Sequence, residues 1–215
     1  CFSRILDYMR YDELNMEDLT PTLTKMLQKD FEYFFPNAKV DSTVNIASHL
    51  CSDYMETLKG WLGDDFDASK LLWRGSRDSL TAKAFHYLCD NKGATLTVIK
   101  STNDYIFGGY NPWNWTSTDI YSKGPGSFVF TLTNPHGIPP TQYFCHQQAK
   151  AVYNAATGGP SFGDGHDLTV WSNGGGTGSS YTDFPFSYTD TTGKGNATFT
   201  GQREFEVKEI EVYAI

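Results

Sequence analysis

Phe205-Glu206-Val207-Lys208-Glu209-Ile210-Glu211-Val212-Tyr213 is the stretch on which the fold turns. In an extended chain side chains alternate between two faces, so Phe205 and Val207 share one of them. Ile210 and Val212 continue the apolar pattern one residue out of step. A slip of one residue would send every following side chain to the wrong face. A β-bulge near Lys208-Glu209 absorbs the extra residue and puts Phe205, Val207, Ile210 and Val212 into one core.

Other segments repeat this texture. Residues 94–100 and 105–110 flank an Asn103-Asp104 turn and read as a hairpin. Residues 127–132 alternate, with Phe128, Phe130 and Leu132 on one face. Residues 168–171 form a further strand, and Leu71-Leu72-Trp73-Arg74 is a short hydrophobic run. A short helix carries Leu80, Ala82, Ala84, Phe85 and Leu88, preceded by Ser76 or Asp78 and ending near Asn91-Lys92-Gly93. Two long loops, 111–126 and 172–198, interrupt the β region, and the second is rich in glycine. Strands with few helices between them predict an α+β domain: antiparallel sheets packed as a sandwich, with short helices at the flanks.

The upstream part has a different texture. Leu23, Met26, Leu27, Phe31, Phe34 and Phe35 form one apolar stripe at helical spacing, stopped by Pro36. Val44, Ile46, Ala47, Leu50, Tyr54 and Leu58 form a second, closed by Gly60 and Gly63. The chain has 215 residues, 25 acidic and 17 basic, for a formal charge of −8. Residues 1–67 hold 13 of the acidic and 6 of the basic side chains, so most of the excess lies there. Only Gly60 and Gly63 precede residue 68, leaving 18 of the 20 glycines beyond it. These two regimes predict an acidic helical extension over 1–67 and a β-sandwich domain over 68–215. The exposed apolar stripes of the extension make self-association through 1–67 plausible.

The acidic balance excludes a nucleic-acid or anionic-lipid binder held by bulk charge. No run of about 18 apolar residues exists to span a membrane as a helix. The start, Cys1-Phe2-Ser3-Arg4, reads as the cut end of a longer chain. Cys1, Cys51, Cys89 and Cys145 show no C-x-x-C spacing, which argues against zinc and for free, buried thiols in a reducing compartment. The sequons at Asn114 and Asn196 are short enough to arise by chance.

Few constellations carry chemistry. A catalytic cysteine needs a histidine base and an orienting group, which Cys145, His166 and Asp167 can supply on paper. The turn Phe162-Gly163-Asp164-Gly165-His166-Asp167 offers Asp164 and Asp167 as cation candidates, but lacks the 1-3-5 carboxylate rhythm of a calcium loop. Its glycines point to a tight turn at positive φ. Tyr110, Trp113, Trp115, Trp171 and Tyr181 can stack on sugar rings, or fold onto the sandwich edge, or form a protein interface. No cofactor motif is present.

From Leu71 to Ile215 the order and spacing of several pieces resemble a TLDc domain, the TBC/LysM-associated domain of oxidation-resistance proteins. The pieces are Leu71-Leu72-Trp73-Arg74-Gly75-Ser76-Arg77-Asp78, Ala84-Phe85-His86, residues 93–100, Tyr105-Ile106-Phe107-Gly108-Gly109-Tyr110, residues 127–132, Phe162-Gly163-x-Gly165-x-Asp167-Leu168 and Phe205-x-Val207-x-x-Ile210-Glu211-Val212-Tyr213. The resemblance implies a two-sheet β-sandwich with short flanking helices. It implies that Gly108 and Gly109 allow a close backbone approach, that Gly163 and Gly165 form the turn before the 168 strand, and that Glu211 points outward. It implies no catalytic residues and no cofactor. It implies an intracellular, cytoplasmic protein-interaction domain linked to oxidative-stress protection and to binding and regulation of the vacuolar proton pump, the V-ATPase. The Pro-rich 134–140 segment and the 172–198 loop depart from the animal members. The alternatives are a sandwich that binds sugar or calcium, and a cysteine enzyme using Cys145 and His166.

Overall fold

The computed structural model describes residues 49–64, 66–171 and 180–215. The expected helices before residue 49, and Gly174, Gly175, Gly176 and Gly178, lie outside the described residues. The chain divides into two units between Ser48 and His49. The boundary expected at 67/68 therefore falls inside the second unit.

Among its described residues that unit holds twelve short strands: β1 (Leu71–Arg74), β2 (Thr95–Ser101), β3 (Ile106–Asn111), β4 (Tyr121–Ser122), β5 (Phe128–Thr131), β6 (Thr141–Phe144), β7 (Val152–Tyr153), β8 (Ser161–Phe162), β9 (Leu168–Thr169), β10 (Ser180–Tyr181), β11 (Glu204–Phe205) and β12 (Val207–Ala214). They form two six-stranded antiparallel sheets. Sheet I runs β1-β12-β2-β3-β5-β6, and sheet II runs β11-β10-β9-β8-β7-β4. The helices are α1 (Met55–Leu62), α2 (Gly75–Asp78) and α3 (Ala82–Cys89). The fold is the expected α+β sandwich.

The C-terminal stretch behaves as its pattern requires. The register of β12 against β2 shifts between Val207 and Glu209, so the bulge lies where the apolar pattern slips. Phe205, Ile210 and Val212 enter the inter-sheet core, and Val207 packs against it. One detail differs from a single bulged strand. Phe205 belongs to β11 of sheet II and Val207 to β12 of sheet I, so the chain changes sheets at Glu206.

The core between the sheets collects Ile99, Phe107 and Val129 from sheet I and Val152, Phe162 and Leu168 from sheet II. Helix α3 closes one edge. Thr81 Oγ1 caps it by accepting from Ala84 N at 3.2 Å, nearer the helix than the expected Ser76 or Asp78. Phe85 then packs between Trp73 and Trp115.

Sheet I is buried on both faces, and this sets the boundary of the unit. Leu96 and Val98 of β2, Phe128 and Phe130 of β5 and Leu132 just beyond it, and Tyr213 of β12 point away from the inter-sheet core into a second cluster. Leu58 of α1, Cys51 and Phe66 complete that cluster. Trp61 packs against Phe128 and Phe130 with ring centroids 6.0 and 5.8 Å away. Residues 49–64 and Phe66 therefore cover a sheet face and belong with the sandwich. Neither long loop is wholly irregular: β4 forms inside 111–126 and β10 inside 172–198, each as a two-residue strand of sheet II.

Candidate functional site

The turn Gly163–Asp167 gathers the polar and aromatic groups of the surface of sheet II. Gly163 has φ +87°, and a Cβ there would lie 1.9 Å from Asp167 Oδ2, so only glycine fits. His166 also adopts positive φ, +59°, which is uncommon for a residue with a Cβ. Gly163 meets the expectation of a positive-φ glycine in this turn, but Gly165 does not: the second positive-φ position is His166, and Gly165 instead makes room for Phe186.

Asp167 is fully buried. Its carboxylate accepts hydrogen bonds from the backbone N–H groups of Phe186 (2.6 Å), Ser187 (2.9 Å) and Tyr188 (3.2 Å). Its backbone carbonyl accepts from Thr182 Oγ1 at 2.6 Å. Burial pushes its carboxyl above the ordinary range, while the three N–H donors pull the other way. Asp167 thus clamps residues 186–188 onto the turn. Ser187 Oγ accepts in turn from Asp164 N at 2.8 Å.

The clamp displays Phe186, which remains 52 % exposed. It packs against Gly165, where a Cβ would be 2.6 Å from Phe186 Cγ. Beside it Asp164 pairs with Lys150 at 2.9 Å, and the Lys150 ammonium sits 5.2 Å from the Tyr121 ring centroid. From Tyr121 a row of rings crosses the sheet. Tyr121 to Tyr153 is 4.8 Å between centroids, Tyr153 to His166 is 5.5 Å, and His166 to Tyr181 is 6.2 Å. Arg203 ends the row, 4.7 Å above Tyr181 and paired with Asp183 at 2.6 Å. Burial lowers the pKa of the His166 ring, and its Nδ1 is buried without a hydrogen-bond partner.

A second polar cluster lies inside the domain, against the outer face of sheet I. Glu211 was expected to point into solvent, but it is 1 % exposed. Arg74 stands directly opposite it on β1 and donates from Nε at 2.8 Å and Nη2 at 2.7 Å. Tyr213 Oη and the backbone N–H of Leu50 also donate to Glu211. The outward parity was right. The face it points to is covered by residues 49–64 and Phe66, so the carboxylate is buried and paired.

The other sequence-derived candidates separate. Gly108 makes the closest approach: a Cβ there would lie 1.9 Å from the Thr97 carbonyl oxygen. Gly109 lies against the Phe162 ring. Trp115 is not a surface aromatic. It is fully buried, donates from Nε1 to Thr95 Oγ1 at 2.8 Å and packs against Phe85 and Phe162. Trp113 is 52 % exposed. Replacing it with alanine is expected to change stability by less than about 0.5 kcal/mol in chemical denaturation.

Asp164 and Asp167 do not converge, one being paired with Lys150 and the other with the 186–188 backbone. Among the described residues no group of three metal-ligating side chains occurs. Cys145 and His166 do not meet either. Cys145 pairs through its backbone with Tyr188, while the His166 ring contacts Tyr153 and Tyr181. Burial pushes the Cys145 thiol up to about 11, opposite to what a nucleophile needs. Asp167, the third member of that triad on paper, is committed to the backbone.

The family model of the TLDc domain matches residues 47–215. The chain belongs to the TLDc family. The match starts within two residues of the structural boundary at His49, well upstream of the Leu71 where the motif resemblance begins. No curated protein matches the chain. Among the described residues, no helix of this TLDc domain is long and apolar enough to cross a membrane.

Sequence reasoning missed Phe186, Lys150, Tyr121, Tyr153 and Arg203 as parts of this surface. Their strands are two residues long or they sit in loops, so no periodicity marks them. The Phe184-Pro185-Phe186 aromatic–proline run was the available signal.

Proposed function

We propose that this TLDc domain is a non-catalytic, intracellular protein-interaction module that binds and regulates the vacuolar proton pump and contributes to protection against oxidative stress. The observation that carries this reading is family membership across 47–215. The surface around Gly163–Asp167 supports it physically. An exposed aromatic ring held by a buried carboxylate and three backbone hydrogen bonds loses little conformational entropy on binding. Such preorganised aromatics are the anchors of protein interfaces. The raised Cys145 thiol and the committed Asp167 support the absence of cysteine catalysis.

The test is a pull-down of assembled V-ATPase from lysate, with the wild-type chain and Phe186→Ala as bait. The wild type is expected to recover pump subunits, and the variant to recover about tenfold less. Failure of the wild type to recover any pump subunit overturns the pump assignment.

A further inference from the structure

The TLDc sandwich contains two apolar clusters, and only one lies between its sheets. The other lies on the outer face of sheet I, beneath residues 49–62. This segment consists of a 3-10 turn (Ser52–Tyr54) and the eight-residue helix α1. Its backbone-to-backbone hydrogen bonds close locally: Ser52 N to His49 O, Tyr54 N to Cys51 O and Gly63 N to Lys59 O. It extends no strand ladder. It holds to the sheet through side chains, with Cys51 and Leu58 buried and Leu50, Tyr54, Met55, Trp61 and Leu62 packed around them. An eight-residue helix containing Gly60 has little stability of its own. Gly63 follows at φ +95°, a conformation that suits a swivel point.

The polar attachment of this segment converges on one side chain. Glu211 accepts from the Leu50 N–H at 2.7 Å, from Arg74 and from Tyr213 Oη. His49 Nδ1 lies 3.2 Å from Tyr213 Oη and 3.3 Å from the Arg74 guanidinium. A buried carboxylate with this many donors is costly to remove from its partners and is therefore suited to fixing one arrangement.

We infer that residues 49–62 form a strap that opens as a unit from the outer face of sheet I while the sandwich stays folded, with Glu211 as its lock. Opening leaves the inter-sheet core untouched, because none of its buried side chains comes from the strap. It uncovers Leu96, Val98, Phe128 and Phe130, a continuous apolar surface that the closed domain hides. The domain therefore carries a second surface whose exposure is set by the strap.

The cysteines provide built-in reporters. Cys51 belongs to the strap and is buried in the cluster between it and sheet I, whereas Cys89 and Cys145 are buried in the inter-sheet core. The full chain is treated with a thiol reagent under native conditions, and modification at each cysteine is followed by peptide mass spectrometry. Cys51 is expected to react about tenfold faster than Cys89 and Cys145, because local opening is cheaper than global unfolding. Glu211→Gln places an amide N–H against existing donors and is expected to speed Cys51 a further tenfold or so, leaving the other two unchanged. Tyr213→Phe removes the hydroxyl that donates to Glu211 and lies 3.2 Å from His49 Nδ1 while keeping the charge and the ring, and should act in the same direction more weakly, which decides the matter if Glu211→Gln does not fold. A single common rate for the three cysteines, or variants that speed all three alike, overturns the strap.

Discussion

Replacing Asp167 with alanine is expected to cost roughly 4 kcal/mol or more, because it strands three backbone donors that an interior of this kind cannot otherwise satisfy. Phe186, Ser187 and Tyr188 all donate to this one carboxylate, and Asp167 itself has no solvent exposure. A loss of that size is a large fraction of the stability of an ordinary domain. Chemical denaturation measures it as a fall in midpoint at unchanged slope. Asparagine keeps an acceptor oxygen for the same donors and should cost much less. The two variants also separate geometry from charge through pH. Burial raises the folded-state pKa of Asp167 above its ordinary 3.8. A raised carboxyl contributes stability that is complete below the unfolded value and lost as pH rises through the folded value. The advantage of wild type over Asp167→Asn is therefore expected to shrink as pH rises from about 3.8 toward neutrality. An advantage that grows over that range would mean that the hydrogen bonds, not burial, govern the group.

Gly108→Ala is the second large effect, at about 3 kcal/mol, the upper end of overpacking costs. Strands β2 and β3 pair with Val98 opposite Gly108 and Thr97 opposite Gly109. The new Cβ would meet the Thr97 carbonyl oxygen at 1.9 Å and Phe130 Cζ at 2.9 Å. A carbonyl in a ladder cannot move without breaking the pairing, so the strand itself must shift. Gly109→Ala meets the Phe162 ring first, at 2.6 Å, a side chain rather than a backbone carbonyl, and is expected to cost about 1–2 kcal/mol. Denaturation curves of both variants check the order. Equal losses would show that the sheet relaxes around Gly108 more easily than its backbone contact implies.

Much of the fold was legible because long strands carry their own pattern. β12, the β2–β3 hairpin and β5 are four to eight residues long, enough for the alternation of side chains between two faces to show. The bulge was readable for the same reason: Ile210 and Val212 fall out of step with Val207, and only an extra residue reconciles them. Sheet II resisted reading because its strands are two residues long, too short to show a period. Trp115 misled because it lies in a loop, and a loop tryptophan gives no sign of the pocket it fills between Phe85 and Phe162.

Glu211 marks the division between what sequence and structure decide. The alternation in Ile210-Glu211-Val212-Tyr213 determined that Glu211 faces away from the inter-sheet core, and Gly163 determined a tight turn. Both are local matters of backbone sterics and periodicity, which neighbouring residues set among themselves. Whether the face beyond Glu211 meets water or Leu50, and whether Asp167 binds a cation or the backbone of Ser187, depends on segments over a hundred and about twenty residues away, respectively. Those meetings are settled by how the layers close over one another, and no local pattern in the chain records them.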